Sequence, residues 1–328
     1  MRAVRASLVF VALLLAVSAC AGGGQPVDLA NVTSVDRPVP VGAEENPPAS
    51  SGASAPAPDC NPKASFRPEG PLPSAGQMPA GSTMRAIQQR GQLIAGVDQN
   101  TFLFGFRNPT TNALEGFDID IVREIAKAIF GDPNKVQFKV VTSAGRIKAL
   151  QEGDVDVVVR TMTATCERWK DINFSAIYYT AGQRLLVDRG SKVTSLDQLG
   201  GQKVCAAKGS TSIKTIAANP AKLIPVQVDN WSDCLIMLQQ GQVAAVSTDD
   251  TILAGMVAQD PNVKMAGPRF TEEPYGIGIP KANVDMVKFV NGVLAKAIAD
   301  GTWARSYDRW LGQTGGSRPA PPTPQYRD

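Results

Sequence analysis

Residues 153–182 read GDVDVVVRTMTATCERWKDINFSAIYYTAG. A short apolar run after a Gly-Asp turn fits a buried strand over 155–159, covered on both faces as in a parallel sheet. The run then breaks into Arg160, Thr161, Met162, Thr163, Ala164 and Thr165, with Arg168 shortly after. A strand that ends in hydroxyls and an arginine sets polar groups at the carboxyl edge of a sheet, where open α/β sheets bind ligands. Arginine suits a carboxylate because its planar fork makes two parallel charge-assisted hydrogen bonds. The stretch therefore predicts a recess for a small acid.

The same rhythm extends in both directions. Upstream, a short helix over 84–90 ends at Gly91 and a strand covers 93–97. A loop with Phe102, Phe104 and Phe106 follows, read as core packing. In EGFDIDIVREIAKAIFG, Ile121, Val122, Ile125 and Ile129 recur at helical spacing, with Asp118 as the expected cap and Gly131 as the stop. A strand over 136–141 and a helix ending near Glu152 complete the pattern. Downstream, strands over 184–188, 203–207, 224–228 and 243–247 alternate with helices, and Asp249 and Asp250 sit past the last of them. Ser210 and Thr211 open a helix whose start is an expected anion seat. A strand over 275–279 and helices over 285–299 and 302–310 finish the chain. Strand–helix alternation predicts an α/β fold with parallel-rich sheets and covering helices.

The chain has 328 residues, enough for two domains, with 43% hydrophobic and 19% charged residues, as in an ordinary globular protein. A net charge of +3 without a basic, aromatic-interleaved cluster gives no reason to expect nucleic acid. Histidine is absent from the sequence, which argues against Ser-His-Asp hydrolysis and His-ligated zinc. No cofactor, metal site or enzymatic activity is expected.

The N-terminus carries two arginines by Arg5, an apolar run over 6–17 and then Ser18-Ala19-Cys20, the layout of a secretory signal peptide. Its ending resembles a bacterial lipobox, so residues 1–20 are read as a lipoprotein signal with Cys20 as the lipid-bearing (palmitate-type) residue. That places the protein on the extracytoplasmic face of the cell membrane. Residues 21–80, rich in Pro, Ala, Gly and Ser, are expected to form a disordered tether. The remaining Cys60, Cys166, Cys205 and Cys234 suggest two disulfides with three possible pairings. Cys205–Cys234 is favoured because both lie in one predicted lobe, leaving Cys60–Cys166 to tie the tail to the other.

Three polar clusters at strand ends, Thr161/Thr163/Arg168, Ser210/Thr211 and Asp249, form the inventory a zwitterionic amino acid needs. Arg168 would take the α-carboxylate, Asp249 the ammonium, and the threonines the remaining bonds. Over residues 93–311 the chain resembles the amino-acid-binding group of extracytoplasmic solute-binding proteins that serve ABC transporters. The resemblance is carried by EGFDIDIVREIA, LQEGDVDVVV, TMTATCER, INFSAIYYTAGQRLLV, SLDQLGGQKVCAAKGSTS, VSTDDTIL, EEPYGIGIP and GTWARSYDRWLG.

That resemblance implies a two-lobed periplasmic-binding-protein fold of type II with a two-strand hinge. Lobe 1 would hold 84–181 and 275–312, lobe 2 would hold 182–274, and 313–328 would be a flexible tail. By position, Arg168, Asp249, Thr161, Thr163 and Thr211 match ligand-binding positions, and Tyr275 joins them from EEPYGIGIP. Arg146 matches an arginine placed for a distal carboxylate. Asp98 stands where acidic-amino-acid binders usually have a lysine, which leaves room for amides. Ser143 and Thr101 stand where other members place flanking aromatics. Arg160 replaces a small residue, either adding positive charge or pointing outward to pair with Glu167, and Lys208 reaches either the cleft or water.

The expected ligand is glutamate, aspartate, glutamine or asparagine, bound by a monomer and passed to a membrane permease or reported to a membrane sensor. The enzymatic alternative, a dehydratase on the same fold, lacks its aromatic flanks.

Overall fold

The crossing point of the chain is a pair of antiparallel strands, Tyr179–Ala181 against Glu273–Tyr275, with Tyr179 opposite Tyr275 and Ala181 opposite Glu273. Each strand leads from one sheet to another. In this computed structural model, residues 37–47, 60–312 and 318–327 are described. The signal peptide, Cys20 and residues 21–36 and 48–59 of the expected tether lie outside them.

On one side of the crossing is a five-stranded sheet in the order Val136–Val140, Leu93–Val97, Val157–Val158, Gly278–Pro280, Ile172–Phe174. Its first three strands run parallel, whereas Gly278–Pro280 is antiparallel to both neighbours. The other side carries a six-stranded sheet in the order Glu44–Glu45, Ile224–Val228, Lys203–Ala207, Ala245–Asp249, Gln183–Asp188, Val263–Ala266. Both are α/β sheets under covering helices, and the molecule has the type II two-lobed fold. The hydrophobic cores are separate. One is built on Leu93, Val97, Phe117, Val122 and Trp303, a second on Leu186, Val204, Val226, Val246 and Leu253, and a third on Leu150, Val158, Trp169 and Phe174.

Several elements differ from the sequence reading for identifiable reasons. Of the buried run 155–159 only Val157–Val158 count as strand, although Asp156 and Val159 N–H also donate to Ile94 O and Gly96 O and all of its valines are buried. The expected 275–279 strand divides in two because Tyr275 pairs in the crossing while Gly278 pairs with Val158 and Phe174. Asp249 ends its strand and directly precedes the helix Asp250–Gln259. The loop with the phenylalanines folds into a small sheet of Asn100–Thr101, Gly105–Arg107 and Leu114–Glu115. Phe104 and Phe106 are core residues within it.

The segments expected to be free are partly tied down. Glu44–Glu45 adds an antiparallel edge strand to Ile224–Val228, supported by Lys203 against Glu45. Ala64–Phe66 pairs in parallel with Gln325–Arg327, so neither the tether to residue 80 nor the tail to its end is loose throughout. The Arg327 guanidinium lies 3.9 Å from the Trp169 ring centroid, and Asn291 Nδ2 donates to Ser65 Oγ and Phe66 O. Cys60 and Cys166 are disulfide-bonded, as are Cys205 and Cys234. A backbone strand bond and a covered aromatic offset the entropy cost that composition alone suggests. Among the described residues no helix is long and apolar enough to cross a membrane, and no group of His, Cys, Asp and Glu is placed to hold a metal ion.

Deleting residues 318–328 removes the Gln325–Arg327 strand and the Arg327–Trp169 contact. The expected loss is about 1–2 kcal/mol, summed from backbone hydrogen bonds and one cation–π pair. It is read as a lower urea midpoint at unchanged slope; an unchanged midpoint contradicts the docked tail.

Candidate functional site

The carboxyl ends of strands from both sheets meet at one recess lined by Ser143, Arg146, Thr161, Thr163, Ser210, Thr211, Ser212, Trp231, Asp249 and Ile252. Thr161 and Thr163 follow the Val157–Val158 strand, Asp249 ends Ala245–Asp249, and Ser210 and Thr211 open the helix after Lys203–Ala207. Their placement is fixed by backbone. Ala164 N–H donates to Pro274 O and Gly276 N–H to Met162 O, which lays the threonine segment along the crossing strand. Thr161 adopts φ +42°, a left-handed conformation rare for a β-branched residue and of the kind held by surrounding structure at functional sites. What holds it is Asp118, whose Oδ2 accepts the Thr161 N–H at 2.9 Å while its Oδ1 accepts the Tyr178 hydroxyl at 2.7 Å. The expected capping role of Asp118 is therefore wrong. The helix Phe117–Phe130 has Gly116 at its N-cap and no side-chain cap. Burial pushes the Asp118 carboxyl up to about 7.

One carboxylate ties the two halves of the recess. Glu273, on the crossing strand and buried, accepts the Thr163 hydroxyl at 2.7 Å and the Thr211 hydroxyl at 2.8 Å on the same oxygen. Its other oxygen accepts the Thr271 hydroxyl. A hydroxyl has one proton, so Thr163 and Thr211 present only lone pairs to anything else. Further links cross between the same halves. Arg168 donates from Nη1 to Thr163 O and from Nη2 to Gly209 O. Lys214 pairs with Glu167 at 2.6 Å, and Asn100 Nδ2 donates to Asn230 Oδ1. Gly209, at φ +74°, passes so close to Ala144 that a Cβ there would lie 2.7 Å from its Cα.

The recess contains polar atoms that the protein leaves unmatched. Asp249 Oδ2 accepts the Tyr275 hydroxyl at 2.5 Å, but Asp249 Oδ1 is buried with no partner. Arg146 is 3% exposed and donates from Nη1 to Arg160 O, yet its Nε is buried and unpartnered, as is Trp231 Nε1. Two donors and one acceptor thus lack partners at one place. Burial, then the neighbouring Glu273 charge, pushes the Asp249 carboxyl up to about 8. Burial, then repulsion from Arg168 and Arg160, holds the Arg146 guanidinium well below its usual range, with Asp249 opposing. Burial also lowers Arg168, against attraction from Glu273, Glu167 and Asp249.

The structure places the sequence candidates differently. Arg146, Thr161, Thr163, Thr211 and Asp249 line the recess together. Arg168 is not among the lining residues; its guanidinium donates to the backbone of Thr163 and Gly209 beside them and is attracted by Asp249. Tyr275 is fully buried behind Asp249: its hydroxyl donates to Asp249 Oδ2 and accepts the Thr251 hydroxyl. Lys208 does not join them: its half-exposed ammonium lies 4.0 Å from Glu44. Asp98 and Arg160 pair with each other at 2.7 Å, both buried, so Arg160 does not turn outward to Glu167. Ser210 caps its own helix, accepting the Ile213 N–H. Glu273 and Trp231 were invisible in the sequence reading, since one lies in a hinge motif and the other at an ordinary helix start. Only the spacing of Trp231 just past the 224–228 strand end could have hinted at it.

A model of the bacterial extracellular solute-binding proteins, family 3, matches residues 93–313. The chain is 44% identical over 230 residues to an ABC transporter glutamine-binding protein of Bacillus subtilis (strain 168), covering 70% of this chain and 84% of that protein. It is 29% identical over 254 residues to a glutamate-binding protein of Corynebacterium efficiens, covering 74% and 86%. Among solved structures, an ancestral arginine-binding protein bound to glutamine superposes with a TM-score of 0.62 at 38% identity, covering 68% of this chain and 99% of that one. A solute receptor for L-cysteine of Neisseria gonorrhoeae gives 0.69 at 26% identity, covering 73% and 98%.

Replacing Glu273 with Ala removes the acceptor shared by Thr163 and Thr211. At about 1–3 kcal/mol, the ligand-free equilibrium between closed and open lobes shifts roughly fivefold to a hundredfold toward open. Small-angle X-ray scattering of the ligand-free variant should show a larger radius of gyration than wild type; identical curves contradict the clasp.

Proposed function

This chain belongs to the bacterial extracellular solute-binding proteins of family 3, and on that premise we propose that it binds a free polar amino acid: glutamate, aspartate, glutamine or asparagine. The observation that carries the proposal is the set of unmatched atoms, Asp249 Oδ1 as acceptor with Arg146 Nε and Trp231 Nε1 as donors, in one recess between two lobes. An α-ammonium answers the first, and a distal carboxylate or amide oxygen answers the others. Buried polar groups cost several kcal/mol unless paired, so the ligand supplies what the protein withholds.

In this reading Asp249 holds the ammonium, assisted by the lone pairs of Thr163 and Thr211 that Glu273 leaves free. Arg168, with backbone N–H groups near Thr163 and Thr211, receives the α-carboxylate, and Arg146 faces the distal group. The names of relatives that bind glutamine or glutamate support the same ligand class. We assign lobe 1 to residues 84–181 and 275–312 and lobe 2 to 182–274, closing about the Tyr179–Ala181/Glu273–Tyr275 pair. The protein acts as a binding protein rather than an enzyme. It is anchored by lipid at Cys20 outside the cytoplasm and delivers its amino acid to an ABC permease; a membrane sensor is the other partner this lobe pair suits.

Such a ligand has about ten heavy atoms, and at roughly −0.8 kcal/mol per atom the affinity is about −8 kcal/mol, near micromolar. Isothermal titration with the twenty amino acids should give heat with at least one of the four; silence from all four at millimolar concentration sinks the proposal. Arg168→Ala should abolish binding of every ligand. Arg146→Ala should weaken the dicarboxylic acids more than the amides, by about tenfold for a lost charge-assisted bond; equal losses remove Arg146 from the distal site.

The pH dependence has a definite sign. Asp249 carries a proton below about 8 in the ligand-free protein, whereas an ammonium needs its carboxylate. Affinity should therefore rise with pH between 6 and 8, by at most tenfold per pH unit, and level off above. At pH 7, titrations in two buffers of different ionisation enthalpy should report close to one proton released; a flat profile contradicts the assignment of Asp249.

A further inference from the structure

Arg160 is 1% exposed, and its guanidinium is spent on two neighbours. Its Nη2 lies 2.7 Å from Asp98 Oδ2, and its Nη1 donates to Ser143 Oγ at 2.5 Å. Its carbonyl oxygen accepts Arg146 Nη1 at 3.0 Å. Ser143 and Arg146 line the recess, so Arg160 stands directly behind the wall facing the distal end of the proposed ligand.

The consequence lies in what Arg160 does to Asp98. A carboxylate has about four lone-pair sites. Asp98 Oδ1 accepts the Gln99 and Asn100 N–H groups at 2.7 and 3.0 Å. Asp98 Oδ2 accepts the Thr101 hydroxyl at 2.7 Å and the Arg160 guanidinium. All four sites are filled by the protein, and the charge is matched. Asp98 can then accept nothing from an amide NH2 or a side-chain cation. The unmatched atoms left at this end are donors: Arg146 Nε and Trp231 Nε1 in the wall, and Arg160 Nε behind it.

We propose that Arg160 is a specificity-determining residue: by saturating and neutralising Asp98 it withdraws the one carboxylate acceptor from the distal end of the recess and leaves unmatched donors there, which select a carboxylate over an amide or a cation. The inference rests on the amino-acid-binding reading above and narrows its ligand class to the acidic members. Without Arg160, Asp98 regains a free acceptor site and an unpaired charge. The same pocket then welcomes an NH2 or NH3 group and repels a carboxylate.

Titration calorimetry with matched pairs, glutamate against glutamine and aspartate against asparagine, tests this on the full chain. Wild type should bind the acid at least about tenfold tighter than its amide, because an amide places one NH2 against donors. In Arg160→Met the ratio should fall by about tenfold or more, or reverse. In Arg160→Met/Asp98→Asn, which removes both charges, the acid preference should return. A ratio that is the same in all three proteins overturns the role of Arg160, as does a wild-type preference for the amide. Should Arg160→Met not fold, Thr101→Val decides the matter. It releases one acceptor site on Asp98 at constant charge, so the ratio should fall by roughly twofold to fivefold, and no change overturns the proposal. If wild type binds none of the four amino acids, the functional reading fails; if it binds but the ratio ignores Arg160, only this inference does.

Discussion

A buried carboxylate oxygen without a donor is the constraint around which the molecule is arranged. Asp249 lies at the end of a central strand, 4% exposed, with one oxygen held by Tyr275 and the other unmatched. A charge in that position is unfavourable unless something meets it, and its carboxyl is pushed up accordingly. The facing Arg146 is under the opposite stress, a guanidinium removed from water beside two others. Neither residue relieves the other by direct contact. A zwitterion with a polar side chain relieves both, which makes occupancy and closure one energetic event in the proposed mechanism.

The frame that allows this is the crossing strand pair and the aromatic residues packed around it. Phe104, Phe117, Tyr178, Tyr179, Tyr275 and Trp303 stand edge to face, stacked or tilted against one another at centroid distances of 5.5–6.3 Å. They anchor one end of the crossing in the core of the five-stranded side. Trp303 Nε1 donates to Tyr178 O, so the C-terminal helix also grips the strand. Glu273 and Tyr275 sit on the same short strand, and from it they reach Thr163, Thr211 and Asp249. Movement of the lobes about this strand therefore changes the hydrogen bonding of the recess itself, which couples hinge to site through contacts rather than through distance.

The fold was largely legible because apolar runs of strand length and helices of clear period alternate through the chain, and because strand ends announce themselves by a switch to polar residues. Thr161, Thr163 and Asp249 stand at that switch, and the structure brings them to one recess. Asp118 was misread because an aspartate at a helix start is ambiguous: a local cap and a long-range acceptor have the same signature until Thr161 and Tyr178 are brought beside it. The same holds for Asp98 and Arg160, distant in sequence, whose pairing depends on which strand lies next to which. Composition misjudged Ala64–Phe66 and Gln325–Arg327, which look disordered in isolation but pair as parallel strands.

The most direct measurement is a crystal structure of the protein with the amino acid that titration selects. The ligand ammonium should lie within hydrogen-bond distance of Asp249 Oδ1, its α-carboxylate on Arg168, and its distal group on Arg146 Nε. A ligand bound the other way round, or outside the recess with Asp249 Oδ1 still unmatched, would contradict that arrangement.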